Sequence, residues 1–309
     1  MAKFRSQYSQ HSRGSNSFLV RLIIYGIVLI LLLLYAARYF KNYAGSELES
    51  PNQANPAALQ DTSSSKTDFL PSVSPSHELI HHAFYSLSYS ERHEQPEWVA
   101  YELTVDQLNA TKHDRHDYFS PDVKIKSRSA IHRDYTGSGY TRGHLAPAAD
   151  MAFDAVAARE CFFMSNISPQ LKAFNNGIWR ELEENVRDWA RKNKRLWVVS
   201  GPVLSEDLKI KIGTNRVSVP RLFYKVILDY TGPEKKGIAF LIPNERSDLP
   251  LEDYVMSIDS IEKLTTINFF AAHPEQREIE AIENNVNKKA WAVQKDRYAL
   301  RKSKWNNQE

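Results

Sequence analysis

The sequence holds a single cysteine among 309 residues. No intrachain disulfide can form, which excludes a disulfide-stapled scaffold and any zinc site built on several thiolates. Cys161 lies in the apolar run Cys161-Phe162-Phe163-Met164, where it reads as a small buried hydrophobe. An internal repeat, a glycine-rich phosphate loop and a dinucleotide-binding fingerprint are also lacking, so nothing supports chemistry resting on a nucleotide cradle. Charge of one sign is lacking too. The formal net charge is +3 with a pI near 8.7, a balance many ordinary enzymes share, so any preference for a polyanion must come from local clustering.

Long hydrophobic runs are confined to one place. Leu22 to Ala37 carries no charge, and at about 1.5 Å per residue it spans roughly 24 Å as a helix. Flanking residues extend it towards the ~30 Å of a bilayer core, with Arg21 and Arg38 reaching the headgroups. Residues 22–40 are therefore expected to form one transmembrane helix. Lys3, Arg5, Arg13 and Arg21 precede it against Arg38 and Lys41 behind it, which places segment 1–21 in the cytoplasm and the rest outside. A cleaved signal peptide is the alternative, but Asn42-Tyr43-Ala44 makes a poor small-x-small cleavage site. Residues 41–76 turn to Ser, Pro, Asn, Gln and Ala, the composition of a disordered tether.

Folded sequence is expected over 77–275, followed by a charged, helical tail over 276–309. Trp98 to Leu103, Leu196 to Ser200, Phe223 to Leu228 and Gly237 to Ile242 read as strands. Between them Gly177 to Asn193 reads as a helix, with Ile178, Leu182, Val186 and Trp189 at three-to-four spacing. The fold class is α+β, with a mixed or antiparallel central sheet and helices.

The turn-rich segment Asp134 to Tyr140 delivers the chain into Arg142-Gly143-His144. Arginine's fork of donors suits a phosphate, and histidine, with a reference pKa near 6.5, is available as a base near neutral pH. Taken alone, the triplet more often marks a hydrogen-bonded structural histidine. Its context is more telling. Thr141 to Met151, Phe162 to Gln170 and Phe174 to Trp179, followed by Val198 to Leu204, Val219-Pro220, Phe223 to Val226 and Ile242-Pro243-Asn244, together resemble the DNA/RNA non-specific endonuclease family over roughly Glu97 to Phe270.

That resemblance implies a ββα-metal finger with His144 as general base and Asn175 as the single protein ligand of a magnesium ion, for which manganese may substitute. Amide oxygen suits this hard cation, which keeps most of its waters. On the residues alone Asn175 also reads as a helix N-cap, and Glu183 as a solvated helix charge. The resemblance makes Glu183 the acidic residue holding metal-bound water, Arg142 the phosphate-binding arginine beside the base, and Arg115, by a looser match, a second one upstream. Asn166 and Thr141 are expected to support the site. Thr141 departs from the aspartate that commonly opens the family motif, which puts the support of Arg142 in question.

Lys112, Lys124, Lys126, Arg128 and Arg133 add a local basic excess suited to a phosphate backbone. His81, His82, His93, His113, His116 and His132 lack ligand spacing and read as surface residues rather than a zinc site. The expected activity is magnesium-dependent, non-specific hydrolysis of DNA and RNA to 5′-phosphate products. Its expected place is on the outer side of the membrane of a bacterium, periplasmic if the cell is Gram-negative. The alternative is a non-catalytic, membrane-tethered nucleic-acid receptor.

Overall fold

Strands form where aromatic and β-branched residues run together, and here those runs are apolar on both faces. The computed structural model describes residues 25–26, 29–30, 32–34, 66–114 and 118–307. The chain divides into two units, residues 1–63 and 64–309. In the first, the described residues are helical. Among the described residues no helix is long and apolar enough to cross a membrane. The remainder of the span assigned to 22–40, the segment 1–21 and tether residues 41–65 lie outside the described residues.

In the second unit the order is β1 (Glu78–His81), β2 (Tyr85–Ser90), β3 (Gln95–Thr104), α1 (Val105–Asn109), β4 (Thr141–His144), α2 (Ala148–Met151), α3 (Ala155–Glu160), β5 (Ile167–Gln170), α4 (Lys172–Phe174) and α5 (Arg180–Asn193). Then follow β6 (Arg195–Pro202), β7 (Lys211–Ile212), β8 (Val217–Ser218), β9 (Leu222–Asp229), β10 (Lys236–Pro243), β11 (Val255–Met256), α6 (Ile258–Thr265), α7 (Gln276–Glu283) and α8 (Lys295–Ser303). The central sheet runs β1-β2-β3-β6-β9-β10-β11, antiparallel at every pairing. The four runs read as strands from the sequence are its β3, β6, β9 and β10.

Alternation along these strands feeds two cores. Val99, Tyr101 and Leu103 of β3 join Ile178, Leu182, Val186 and Trp189 on one face. Trp98 and Ala100 join Ile258, Ile261, Ile279 and Ile282 on the other. The sheet is thus sandwiched between helices, and Leu145, Ala146, Phe162 and Phe174 share the core on the α5 side.

Two boundaries differ from the sequence reading. The polar tether ends before Ser76, because Phe69 is buried and stacks on Trp197 at 4.2 Å, while Ser72 exchanges hydrogen bonds with Asn268 and accepts one from Trp98 Nε1. One aromatic ring is enough to anchor a stretch whose composition is otherwise that of a linker. The segment from 276 onward is not an appended tail either. It is helical in α7 and α8, as its pattern indicates, but Ile279, Ile282, Trp291, Arg301 and Trp305 are buried in the same body as the sheet.

Within that segment Glu283 is 6% exposed, and its Oε1 has no hydrogen-bond partner among the described residues. Burial, with Glu262, Glu280 and Asp259 nearby, pushes its pKa from 4.5 up to about 8. The fold therefore favours the protonated form: stability is fully present below the unfolded value and declines as pH rises from about 4.5 towards about 8. Glu283→Gln removes this slope. Chemical denaturation of both proteins across that window should show the variant gaining on the parent as pH rises, and parallel curves would count against a buried neutral acid.

Candidate active site

Strands β4 and β5 form their own antiparallel pair outside the central sheet, with Thr141 opposite Gln170, Arg142 opposite Pro169, Gly143 opposite Ser168 and His144 opposite Ile167. The chain passes from β5 through α4 and a π-helical segment, Asn175–Trp179, into α5. Two strands and a helix thus carry the motif residues. Gly143 is required by packing, since a Cβ there would sit 2.0 Å from Gln170 Oε1.

Buried amides hold this unit in place. Asn166 accepts from Ala146 N at 2.9 Å and donates to Ala146 O and Cys161 O at 2.9 and 2.8 Å, fastening the turn that follows His144. All of its contacts are to backbone. Asn244, which the sequence reading quoted only as a motif residue, accepts from Leu171 N at 2.9 Å and donates to Pro169 O and Pro220 O. It therefore fixes the join between β5 and α4, just ahead of Asn175. Ser168 donates to Gln95 Oε1 at 2.6 Å, tying the finger to β3.

Arg142 and His144 lie two residues apart on β4 and meet the same ring. The guanidinium carbon is 5.6 Å from the Phe119 centroid, and the imidazole 5.4 Å from it and 4.8 Å from Phe162. Arg142 donates to His132 O at 2.9 Å and to Thr136 Oγ1 at 3.4 Å, and it pairs with no carboxylate among the described residues. Burial lowers its pKa somewhat. A guanidinium without a carboxylate among the described residues favours an anion beside it. Thr141 makes no hydrogen bond to Arg142, which is held through His132 O and Thr136. The hydroxyl of Thr141 instead donates to Gln170 O at 2.9 Å and accepts from Asn175 Nδ2 at 3.0 Å.

Asn175 has helical φ/ψ of −61° and −49°, which excludes the N-cap reading, because a capping residue is extended. The π segment after it, with Gly177 at φ −97° and ψ −110°, also breaks the regular turn. Ideal helix geometry consequently does not relate Asn175 to Glu183, and such bulges recur at functional sites. Asn306 Oδ1 lies 2.6 Å from where a Cβ at Gly177 would stand, so a larger residue there would have to push the Asn306 side chain aside.

Glu183 is partly buried in the first turn of α5 and makes no hydrogen bond or ion pair among the described residues. Burial raises its pKa, opposed by Lys225 and Arg187 and reinforced by Asp150. Lys225 is fully buried, over the Trp179 ring at 4.6 Å and bonded to Ser200 Oγ; burial lowers its pKa and Glu183 opposes the fall. Arg187 pairs with Asp150 at 2.9 Å, and Asp150 also accepts from Tyr101 OH at 2.9 Å. Sequence reasoning missed this charged floor. One signal for it was present, a cation at Arg187 four residues beyond Glu183.

Arg115 lies outside the described residues. Two of the histidines assigned to the surface are buried. His82 Nε2 is hydrogen-bonded to Asp122 at 2.9 Å, with the Glu160 carboxylate 3.8 Å from Nδ1, and although burial disfavours its charge these carboxylates raise its pKa. His93 bonds Ser218 Oγ at 2.9 Å, and burial lowers its pKa to about 4. Among the described residues no three His, Cys, Asp or Glu side chains gather as a metal cluster. The donor set that fits a hard cation is narrower: Asn175 Oδ1, left open because the amide nitrogen is spent on Thr141, and the unpaired Glu183 carboxylate.

An antiparallel strand pair carrying Arg-Gly-His, followed by the π-helical segment that begins at Asn175, defines a class of fold rather than one protein. Residues 67–276 match the DNA/RNA non-specific endonuclease family, and the chain belongs to it. Among relatives, "Nuclease EXOG, mitochondrial" from Mus musculus is 32% identical over 64% of this chain and 58% of its own length. "Endonuclease G, mitochondrial" from Homo sapiens is 31% identical over 60% of this chain and 67% of its own. The match thus spans less than two thirds of the first of these. A solved structure described as "Crystal structure of the EndoG/EndoGI complex: Mechanism of EndoG inhibition" aligns with a TM-score of 0.57 at 31% identity, covering 64% of this chain and 87% of that one.

Proposed function

We propose that this chain is a magnesium-dependent endonuclease that hydrolyses phosphodiester bonds of DNA and RNA with little sequence preference. The observation that carries the reading is that His144 and Arg142, which has no carboxylate partner among the described residues, both lie against Phe119. His144 takes the proton from the attacking water. The free donors of Arg142 receive the phosphate oxygens as charge builds on them, with Arg115 as a second donor. Asn175 and, through water, Glu183 would hold Mg2+, or Mn2+ in its place. When bound, that ion supplies charge stabilisation at the phosphate and at the leaving 3′ oxygen. The products carry 5′-phosphates.

The exposed side chains of Lys112, Lys124, Lys126, Arg128 and Arg133 favour backbone contact without base readout. Residues 22–40 anchor the chain in a membrane, with segment 1–21 cytoplasmic and the nuclease unit on the outer, or periplasmic, side. Protease digestion of intact and opened cells tests that placement: the unit should be cut in opened cells alone if it faces the cytoplasm, and as soon as the outer face is exposed if the proposal holds.

The activity test is digestion of plasmid DNA and of RNA by the purified full chain, with Mg2+ or with chelator, followed by ligation of the products without prior phosphorylation. Shortening of both polymers in Mg2+ alone, with ligatable 5′ ends, is expected. Retention of intact DNA in Mg2+ and in Mn2+ would instead favour a receptor.

A further inference from the structure

The hydroxyl of Thr141 has one proton, and its position is settled by a neighbour that can only accept. Gln170 O, a backbone carbonyl 2.9 Å away, must receive it. Towards Asn175, 3.0 Å away, Thr141 Oγ1 is then left with lone pairs and can only accept. The Asn175 amide must therefore turn its NH2 to Thr141, which obliges its carbonyl oxygen to face the other way. An asparagine amide flips at little cost when nothing distinguishes its two ends, and a flipped amide presents donors that repel a cation. The backbone at both ends of this relay is fixed: Gln170 sits in register opposite Thr141, and Asn175 N donates to Leu171 O at 2.9 Å.

We infer that Thr141 is a positioning residue that locks the side-chain amide of Asn175 with its oxygen outward, as a preset oxygen donor for a divalent cation. This rests on the proposed metal-ligand role of Asn175 and adds to it the residue that selects the ligating atom. The requirement is for an acceptor at position 141, not for a charge.

The test is Mn2+ binding by the purified full chain, read by electron paramagnetic resonance of the free ion, with no nucleic acid present. Thr141→Val keeps the shape and removes the hydroxyl. It should weaken Mn2+ binding about 10-fold or more, the loss typical of a residue that orients a ligand. Thr141→Ser should restore parental affinity, a rescue that a packing role would not produce. In turnover assays the valine variant should need more Mg2+ for half-maximal rate and approach the parental rate at saturation. Equal Mn2+ affinity in parent and Thr141→Val overturns the inference, as does failure of serine to rescue. If the valine variant is unfolded by circular dichroism, Thr141→Ser against Thr141→Ala gives the same comparison. A different failure marks the underlying reading: Asn175→Ala binding Mn2+ as tightly as the parent would remove the ligand itself.

Discussion

Replacing His144 by alanine is expected to lower the rate of plasmid cleavage by about 10²- to 10⁴-fold, the range lost when a positioned general base is removed. The buried His82 and His93 cannot stand in for it, since they are committed to Asp122 and Ser218. The alanine variant also loses the ring packed between Phe119 and Phe162. His144→Asn separates the two effects, because it refills part of the space with a polar group that is not a base. Both variants should be slow under single-turnover conditions while retaining DNA binding through Arg142 and the surrounding lysines. A variant that cleaves at the parental rate would remove His144 from the reaction. One that binds no DNA would point to a collapsed hairpin.

The four central strands, β3, β6, β9 and β10, were legible because they are apolar runs, whereas β1, β2 and β11 were not read, and α5 was legible because Leu182, Val186 and Trp189 repeat at helical spacing. Arg142, His144, Asn175 and Glu183 were legible only as a set whose order resembles a family. What escaped was whatever depends on a long-range partner. Phe69 looks like one ring in a linker until Trp197 is beneath it. His82 looks like one of two surface histidines until Asp122 and Glu160 close on it. The contact made by position 141 was hidden for the same reason. Read along the chain, Thr141 is next to Arg142 and seems to concern it, whereas across the fold it meets Asn175, 34 residues away.

The C-terminal segment shows the largest gap between composition and structure, and it carries the largest expected loss of stability. Arg301 is fully buried, with Nε on Glu181, itself fully buried, Nη1 on Ser247 O and Nη2 on Leu249 O at 2.6 Å. It joins α8 to the first turn of α5 and to the loop that also binds Asn306 Nδ2 through Ser247 O at 2.8 Å. Asn306 in turn lies against Gly177, two residues after Asn175. Arg301→Ala should therefore cost about 3–5 kcal/mol, since it strands a buried carboxylate. In a unit of this size that is roughly 6–20 °C in melting temperature.

The cost should depend on pH with a definite sign. Burial already raises the Glu181 pKa and Arg301 opposes the rise, so without Arg301 the carboxyl is held protonated to still higher pH. A folded-state pKa above the unfolded one makes stability fall as pH rises, so the deficit is greatest at neutral pH and shrinks as pH drops towards the ordinary glutamate value. Glu181→Leu combined with Arg301→Met should recover most of the loss, because a buried pair replaced whole leaves no uncompensated charge. Melting curves of the parent, both single variants and the double variant at neutral and mildly acid pH give the coupling directly. Additive losses would mean that the two charges do not depend on each other. If they are coupled, the single variants should also raise the Mg2+ requirement, since the segment they loosen is the one that packs on the bulge carrying Asn175.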